Sequence, residues 1–267
     1  MITSSASAGK ALIGDSGYVG GSLRGQTGFA SAYRSTNIGQ IDGQDFAVVV
    51  CAGAPGKKWI ANQDPQSDRQ NLERLMSHLA KVSCDTFVLI STVDVFKHPV
   101  AVDELTVVDE VGLRPYGLHR RLLESFVASE FPNHLIVRLP GLVGPGLRKN
   151  VIYDFLHHND LHAIDSRGIF QFYPMVNLWY DIQLALRAGL NLVHLTAAPI
   201  SVAEVAALGF DRPFEQALTG DPAVYDMRSR HADIFGAAGS YQYSRRETLL
   251  AIRAYAQGEA RTGSVGP

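Results

Sequence analysis

Charge of one sign is missing from this 267-residue sequence: 24 Lys and Arg stand against 26 Asp and Glu, a net charge of -2. Without an excess of cations there is no electrostatic reason to expect a nucleic-acid backbone as partner. A long apolar run is missing too. The longest, FAVVVCAGA from Phe46 to Ala54, falls far short of the roughly 20 residues that a membrane-spanning helix needs, so no membrane partner is expected. The N-terminal MITSSASAGK has neither a basic start nor an apolar stretch; it does not read as a secretory signal, and the cytoplasm is the expected location. Cysteine is scarce. Cys51 and Cys84 both border apolar, strand-like segments and read as buried small hydrophobes rather than as a disulfide or metal ligands. No H-E-x-x-H or comparable spacing occurs, and the adjacent His157 and His158 would face different directions on a helix, which argues against a histidine zinc site. Internal repeats, heptad runs and low-complexity linkers are absent from the sequence. What is present, 46% hydrophobic and 19% charged residues, suffices for a large core and excludes disorder.

Short apolar runs alternate with helical patterns through the first half: KALIG near residue 10, FASAY near 29, FAVVVCA from Phe46, TFVLIS from Thr86 and HLIVRL from His134. That alternation predicts an α/β fold with a parallel, doubly wound sheet. Leu72, Leu75, Leu79 and Val82 recur at helical spacing after Pro65, whose fixed φ suits a first turn, and predict an amphipathic crossover helix. A second such helix is expected from Tyr116 to Phe131, with Leu122, Leu123, Phe126 and Val127 apolar and Pro132 just beyond its end. After GLVGPG (141–146) the texture turns to shorter, aromatic-rich pieces. These include IFQFYP, a helical LWYDIQLALRAG, and helices SVAEVAALG and SRRETLLAIRAYAQ opened by capping boxes at Ser201/Glu204 and Ser244/Glu247. They read as a small second lobe.

Within the first of these strand-to-helix passages lies a glycine loop: Gly14, Asp15, Ser16, Gly17, Tyr18, Val19 and Gly20. Glycines there permit a tight turn and a close approach to a pyrophosphate, and the following helix start offers unpaired N–H groups to the anion. A dinucleotide is therefore the expected ligand, against an ordinary strand-to-helix turn. About 20 residues on, where an acid would hold the ribose of NAD, stand Arg34 and Ser35. Three readings remain open: Arg34 and Ser35 receive the 2′-phosphate of NADP, Arg34 is a solvated loop cation, or the dinucleotide site has been lost. The expected organisation is a Rossmann-like dinucleotide-binding domain over 1–145, a smaller, partly interleaved substrate lobe over 146–257, and a flexible tail over 258–267, with residues 1–9 frayed as well.

The segments ISTVDVF (90–96), YGLHR (116–120) and VRLPGLVGPG (137–146), in that order, resemble the extended short-chain dehydrogenase/reductase family, the epimerases and dehydratases of nucleotide sugars. AGAP (52–55) is similar to the family's loop under the nicotinamide, Pro65 with Asn71 to its P…N helix signature, and YDMRSRHADIFG (225–236) to its C-terminal segment. The resemblance covers almost the whole chain. It implies that Ala52, Gly53 and Ala54 join the cofactor site, that Thr92 orients the reacting hydroxyl or carbonyl, and that Tyr116 is the general acid/base. A tyrosine, with an ordinary pKa of about 10, serves near neutrality only beside a cation. The family places lysine four residues on, and this chain has Arg120. Arginine is larger, forked and permanently protonated, which puts redox use of the cofactor in question.

For the substrate, the resemblance implies a nucleotide-diphosphate sugar, with Asn71, Arg148, Lys149 and Arg228 as candidate contacts; each of the three cations reads equally as solvated surface. Gly141 stands where the family often has Asn. Asp94, Asp103 and Glu104 could hold Mg or Mn against a diphosphate, although a solvated loop describes them better. Lys57, Lys58 and Trp59 after the AGAP loop read as a phosphate or base contact, or as an exposed flap. The expected function is thus isomerase- or epimerase-type modification of a nucleotide sugar with NADP or NAD, in a homodimer formed through helices like 116–131. One alternative is a nicotinamide-independent isomerase, such as a pyranose–furanose mutase using a divalent metal; another is an NADP-sensing module without turnover.

Overall fold

The computed structural model describes residues 8–259. Most of the two ends expected to be frayed lies outside them, but Ala8 and Gly9 already belong to the first strand, and Gly258 closes the last helix. The chain divides into two units.

The first unit comprises residues 8–97, Val107–Arg138 and Leu178–Val193. Six strands hydrogen-bond in the order Leu192–His194, His134–Leu139, Ser83–Thr92, Asp45–Cys51, Ala8–Ile13, Ser31–Tyr33, and the sheet is parallel. Consecutive residues are buried in its central strands: Ala11, Leu12 and Ile13, then Val49, Val50 and Cys51, then Phe87, Val88 and Leu89. Only a sheet covered on both faces buries such runs. The chain steps one way from the first strand and the other way from the third, so the strand order reverses between Ala8–Ile13 and Asp45–Cys51. In open parallel sheets, ligands bind at this reversal.

The crossover helix Pro65–Leu79 starts as expected, with Pro65 in its first turn and the Asp64 carboxylate accepting from Ser67 N at 3.1 Å. Leu72, Leu75 and Leu79 are buried, and so is Asp68 on the same stripe. The helix Pro115–Glu130 buries Leu123 and Val127, whereas Leu122 and Phe126 are half-buried. His119, Arg120 and Glu124 are buried on it instead. Gly117 lets this helix touch the backbone at Asp94, since a Cβ there would collide with the Asp94 carbonyl oxygen.

Three segments of this unit are tied together by buried charge. Glu124 accepts from Ser91 Oγ at 2.6 Å and from Arg138 Nε and Nη2 at 2.9 and 2.6 Å. Ser91 immediately precedes Thr92, so the network fixes the strand end that carries it.

The second unit comprises residues 98–106, 139–177 and 194–259. Three short two-stranded pairings build it: Val100–Val102 with Asp226–Met227, Gly141–Val143 with Phe172–Pro174, and Ile169–Phe170 with Ile200–Ser201. The buried Gln171 side chain links them, donating to the Ala197 and Met227 carbonyls and accepting from Met227 N. Both expected capping boxes form, at Ser201/Glu204 and Ser244/Glu247. The SVAEVAALG segment is one short α-turn followed by wider π-turns, while SRRETLLAIRAYAQ is helical over Arg245–Gly258.

The division falls elsewhere than at residue 146. Residues 98–106 and 139–145 join the second unit, and the helix Leu178–Arg187 returns to the first. That helix buries Leu178, Ile182 and Ala185, Trp179 N donates to Gln26 Oε1 at 2.7 Å, and the Trp179 ring meets Phe29 edge-on with Lys10 Nζ over its face. An apolar helical stripe shows that a helix packs, not on what. Among the described residues, no helix is long and apolar enough to cross a membrane.

Replacing Glu124 with Ala leaves Arg138 buried without its carboxylate, and breaking such a pair costs about 3–5 kcal/mol. Urea denaturation of Glu124→Ala is expected to show a loss of this size.

Candidate functional site

A cleft of about 610 Å³ opens at the reversal of strand order. Gly14 follows the first strand with φ +88°, and its α-carbon lies so close to Ala52 that a Cβ would strike the Ala52 carbonyl oxygen. Among the described residues no side chain caps the helix Tyr18–Gln26, which starts after Gly17; a helix start favours an anion through its dipole and its N–H groups. Of the residues expected at a cofactor, Gly14, Ser16, Gly17, Arg34, Ser35, Ala52, Gly53 and Ala54 line the cleft. Tyr18, Val19 and Gly20 do not line it; they form the helix's first turn.

Asp15 does not line it either. Its side chain is 1% exposed and pairs with Arg24 at 2.9 Å and Arg34 at 3.0 Å through Oδ2, while Oδ1 has no hydrogen-bond partner among the described residues. The carboxylate thus holds Arg34 at the rim of the cleft. Thr36 and Arg74, which the sequence reading missed, line the same space, and no carboxylate residue does. Arg74 Nη2 donates to Asn71 Oδ1 at 3.3 Å, so Asn71, expected at the substrate, stands in this cleft. The missed signal was the helical step from Asn71 to Arg74, which puts both on one face.

The helix Pro115–Glu130 sets Tyr116 in its first turn, where Asn62 Oδ1 accepts from Tyr116 N at 3.0 Å. Thr92 acts on the Tyr116 phenol. Burial is the largest influence on the phenol and raises its pKa above the ordinary value; Arg120 pulls it down, Asp94 pushes it up, and Lys58 and Thr92 lower it. Lys58 Nζ holds Asp94 Oδ1 at 2.6 Å.

The other candidates are spread out. Arg228 is forked onto Asp226, with Nη2 to Oδ2 at 2.7 Å, and its guanidinium is stabilised by that pair; it is not an uncommitted diphosphate cation. Arg148 and Lys149 are exposed. The three carboxylates suggested for Mg or Mn do not form a ligand set: Asp94 pairs with Lys58, Asp103 with Arg230, and Glu104 accepts from Ser229, His194 N and Arg230 N. Among the described residues, no three His, Cys, Asp or Glu side chains gather around a metal position. Cys51 and Cys84 are free thiols, and burial pushes both up to about 11. Trp59 is 65% exposed.

Neither a protein-family model nor a curated protein matches this sequence. Solved structures do match in fold. The Bordetella bronchiseptica enzyme WbmG, in complex with NAD, superposes with a TM-score of 0.74 at 14% identity, covering 96% of each chain. A dTDP-4-dehydrorhamnose reductase of Clostridium acetobutylicum gives 0.72 at 15%, over 94% of this chain and 99% of that one. The UDP-glucose 4-epimerase of Thermotoga maritima, with UDP-glucose, gives 0.71 at 14% over the same shares. The chain shares the Rossmann-like α/β fold of these three enzymes.

On this fold, Arg120 does not do what the lysine of the resemblance implies. Both Asp68 oxygens take its Nη groups, at 2.5 and 2.9 Å; Nη2 also donates to the Pro55 carbonyl and Nη1 to that of Tyr116. Its guanidinium lies 4.0 Å from the Tyr116 ring centroid, stacked on the face rather than aimed at the hydroxyl. His119 Nδ1 meets the same Asp68 at 2.7 Å. Asp68 and His119 were missed, although an acid on the apolar stripe of 68, 72, 75 and 79 was the available signal. Lysine at 120 keeps the charge and loses the fork, so Arg120→Lys is expected to lower stability by about 1–3 kcal/mol, measured by thermal and chemical denaturation.

Proposed function

We propose that the protein is an enzyme that modifies a nucleotide-diphosphate sugar by an epimerase- or isomerase-type reaction on bound NADP, with Tyr116 as general acid/base and Thr92 orienting the reacting hydroxyl. One observation carries this: Arg120 lies on the Tyr116 ring and donates to Pro55 in the wall of the cleft, which sets the tyrosine beside the dinucleotide space, with Thr92 acting on its phenol. The similar structures include a nucleotide-sugar reductase, a nucleotide-sugar epimerase and an enzyme holding NAD, which supports the substrate and cofactor classes.

The cleft fits a dinucleotide phosphate. It offers an uncapped helix start, two arginines, the Ser35 and Thr36 side chains and no carboxylate. The glycine loop would hold the pyrophosphate, Arg34 and Arg74 the 2′-phosphate, and Ala52 to Pro55 the nicotinamide end. When bound, the nicotinamide supplies the hydride acceptor and donor. Thr92 then holds the sugar hydroxyl and Tyr116 takes its proton. A second reading, isomerisation without hydride transfer, is favoured by Arg120, whose Nη groups are committed to Asp68 and two carbonyls. Turnover of UDP-, GDP- and dTDP-sugars with nicotinamide stripped and then restored decides between them: activity that disappears on stripping and returns with NADP supports hydride transfer.

Tyr116→Phe is expected to lower turnover by about 10²–10⁴-fold with circular dichroism and melting unchanged; near-normal turnover removes Tyr116 from the reaction. Arg34→Ala and Arg74→Ala are each expected to weaken NADP about 10- to 100-fold, the loss of a charge-assisted hydrogen bond. NAD should be affected far less, which titration calorimetry reads directly.

A further inference from the structure

A second cation, besides Arg120, acts on Tyr116 from a different element than its own helix. Arg120 is over the ring face, and its Nη groups go to Asp68, to Pro55 and to the carbonyl of Tyr116 itself. Asp68 is buried against it and balances its charge. At the hydroxyl end the contacts run in series. Thr92 acts on the phenol; Asp94 N donates to Thr92 Oγ1 at 3.2 Å, and Thr92 Oγ1 donates to Asp94 Oδ2 at 3.5 Å. Asp94 Oδ1 then takes Lys58 Nζ at 2.6 Å.

The helix that begins at Lys58 is fixed to the same tyrosine. Asn62, on the helix Lys58–Gln63, accepts from Tyr116 N. Gly117 brings the Tyr116 helix against the backbone of Asp94. Three elements therefore meet at Tyr116, and the Lys58–Asp94 pair joins two of them. We propose that Lys58, paired with Asp94, is a positioning residue that sets Tyr116 for proton transfer, in the place that lysine on the tyrosine's own helix would otherwise fill. This rests on the acid/base role proposed for Tyr116.

The charged groups that act on the phenol are Arg120, Asp94 and Lys58. Arg120 and Asp94 act more strongly than Lys58 does, so the pair works by balance: Lys58 offsets a carboxylate that on its own holds the proton on the phenol. Each partner's removal then displaces the tyrosine in the opposite direction. Lys58 is 39% exposed and Asp94 20%, so solvent screens part of the effect and salt reduces it.

The test is a pH titration by fluorine NMR of the full chain labelled with fluorotyrosine, in which the Tyr116 resonance is the one missing from Tyr116→Phe. Lys58→Met is expected to raise the Tyr116 midpoint by about one pH unit and Asp94→Asn to lower it by a similar amount, as for a single nearby charge. Lys58→Arg keeps the ion pair and should leave the midpoint close to the parent's. A structural role for Lys58 would lower the melting temperature without opposed displacements. No displacement, or displacement in one direction only, overturns the proposal even when Tyr116→Phe is inactive. Opposed displacements together with an inactive Tyr116→Phe support it; opposed displacements with turnover retained in Tyr116→Phe overturn the acid/base reading, and the proton-transfer role of the pair with it, while leaving the pair's hold on the phenol.

Discussion

The buried pairing of Arg120 with Asp68 is the constraint around which the first unit's site is arranged. Two charged side chains, both almost wholly removed from water, incur a desolvation cost that only close geometry and further hydrogen bonds repay. The fork on both carboxylate oxygens provides that geometry, and the spare donors of Arg120 reach Pro55 and Tyr116. The pair thereby ties the two crossover helices to each other and to the loop that walls the cleft. The Tyr116 ring rests on the guanidinium, and its orientation follows from an interaction that is first of all structural.

That arrangement explains why an arginine can occupy this position without simply substituting for a lysine. An ammonium is a compact point charge that can sit at the end of its stem and donate to a ribose or phenol oxygen. The guanidinium here is too broad to do so while also filling the Asp68 site. Its field still lowers the phenol's pKa, but from the ring face, where it offers no proton donor to the oxygen. Charge and hydrogen bonding, which one lysine could combine, are divided between two elements of the fold.

The sheet was legible because its strands are continuous apolar runs, and such runs follow from burial on both faces. Both crossover helices and both capping boxes were legible because Leu72, Leu75 and Leu79, or Ser244 with Glu247, act over three or four residues. What remained hidden was set by distance in sequence. The sixth strand, Leu192–His194, is three residues long and finds its neighbour His134–Leu139 across more than fifty residues. No local pattern in LWYDIQLALRAG states which unit its stripe will face. The glycine loop, AGAP, Thr92 and Tyr116 were visible as motifs, yet the partners that decide how they behave, Asp68, Asn62 and the Lys58–Asp94 pair, lie one or two elements away from them.

Asp15 shows the same logic at the other end of the site. A carboxylate inside a loop suited to phosphate would oppose the anion if it faced the cleft. Instead it is turned inward, nearly inaccessible, with Arg24 and Arg34 on one oxygen. The side chain of Arg34 remains 50% exposed, and only its Nη2 is engaged by Asp15, which leaves other N–H groups facing the rim. An anchored arginine loses less rotamer freedom on meeting a phosphate than a freely swinging one, so part of the ordering cost of binding is met during folding. In both Asp15 with Arg34 and Asp68 with Arg120, a buried acid fixes a cation near the cleft; the difference is that the first cation lines the cleft and stays half exposed, whereas the second is buried with both Nη groups spent on the protein.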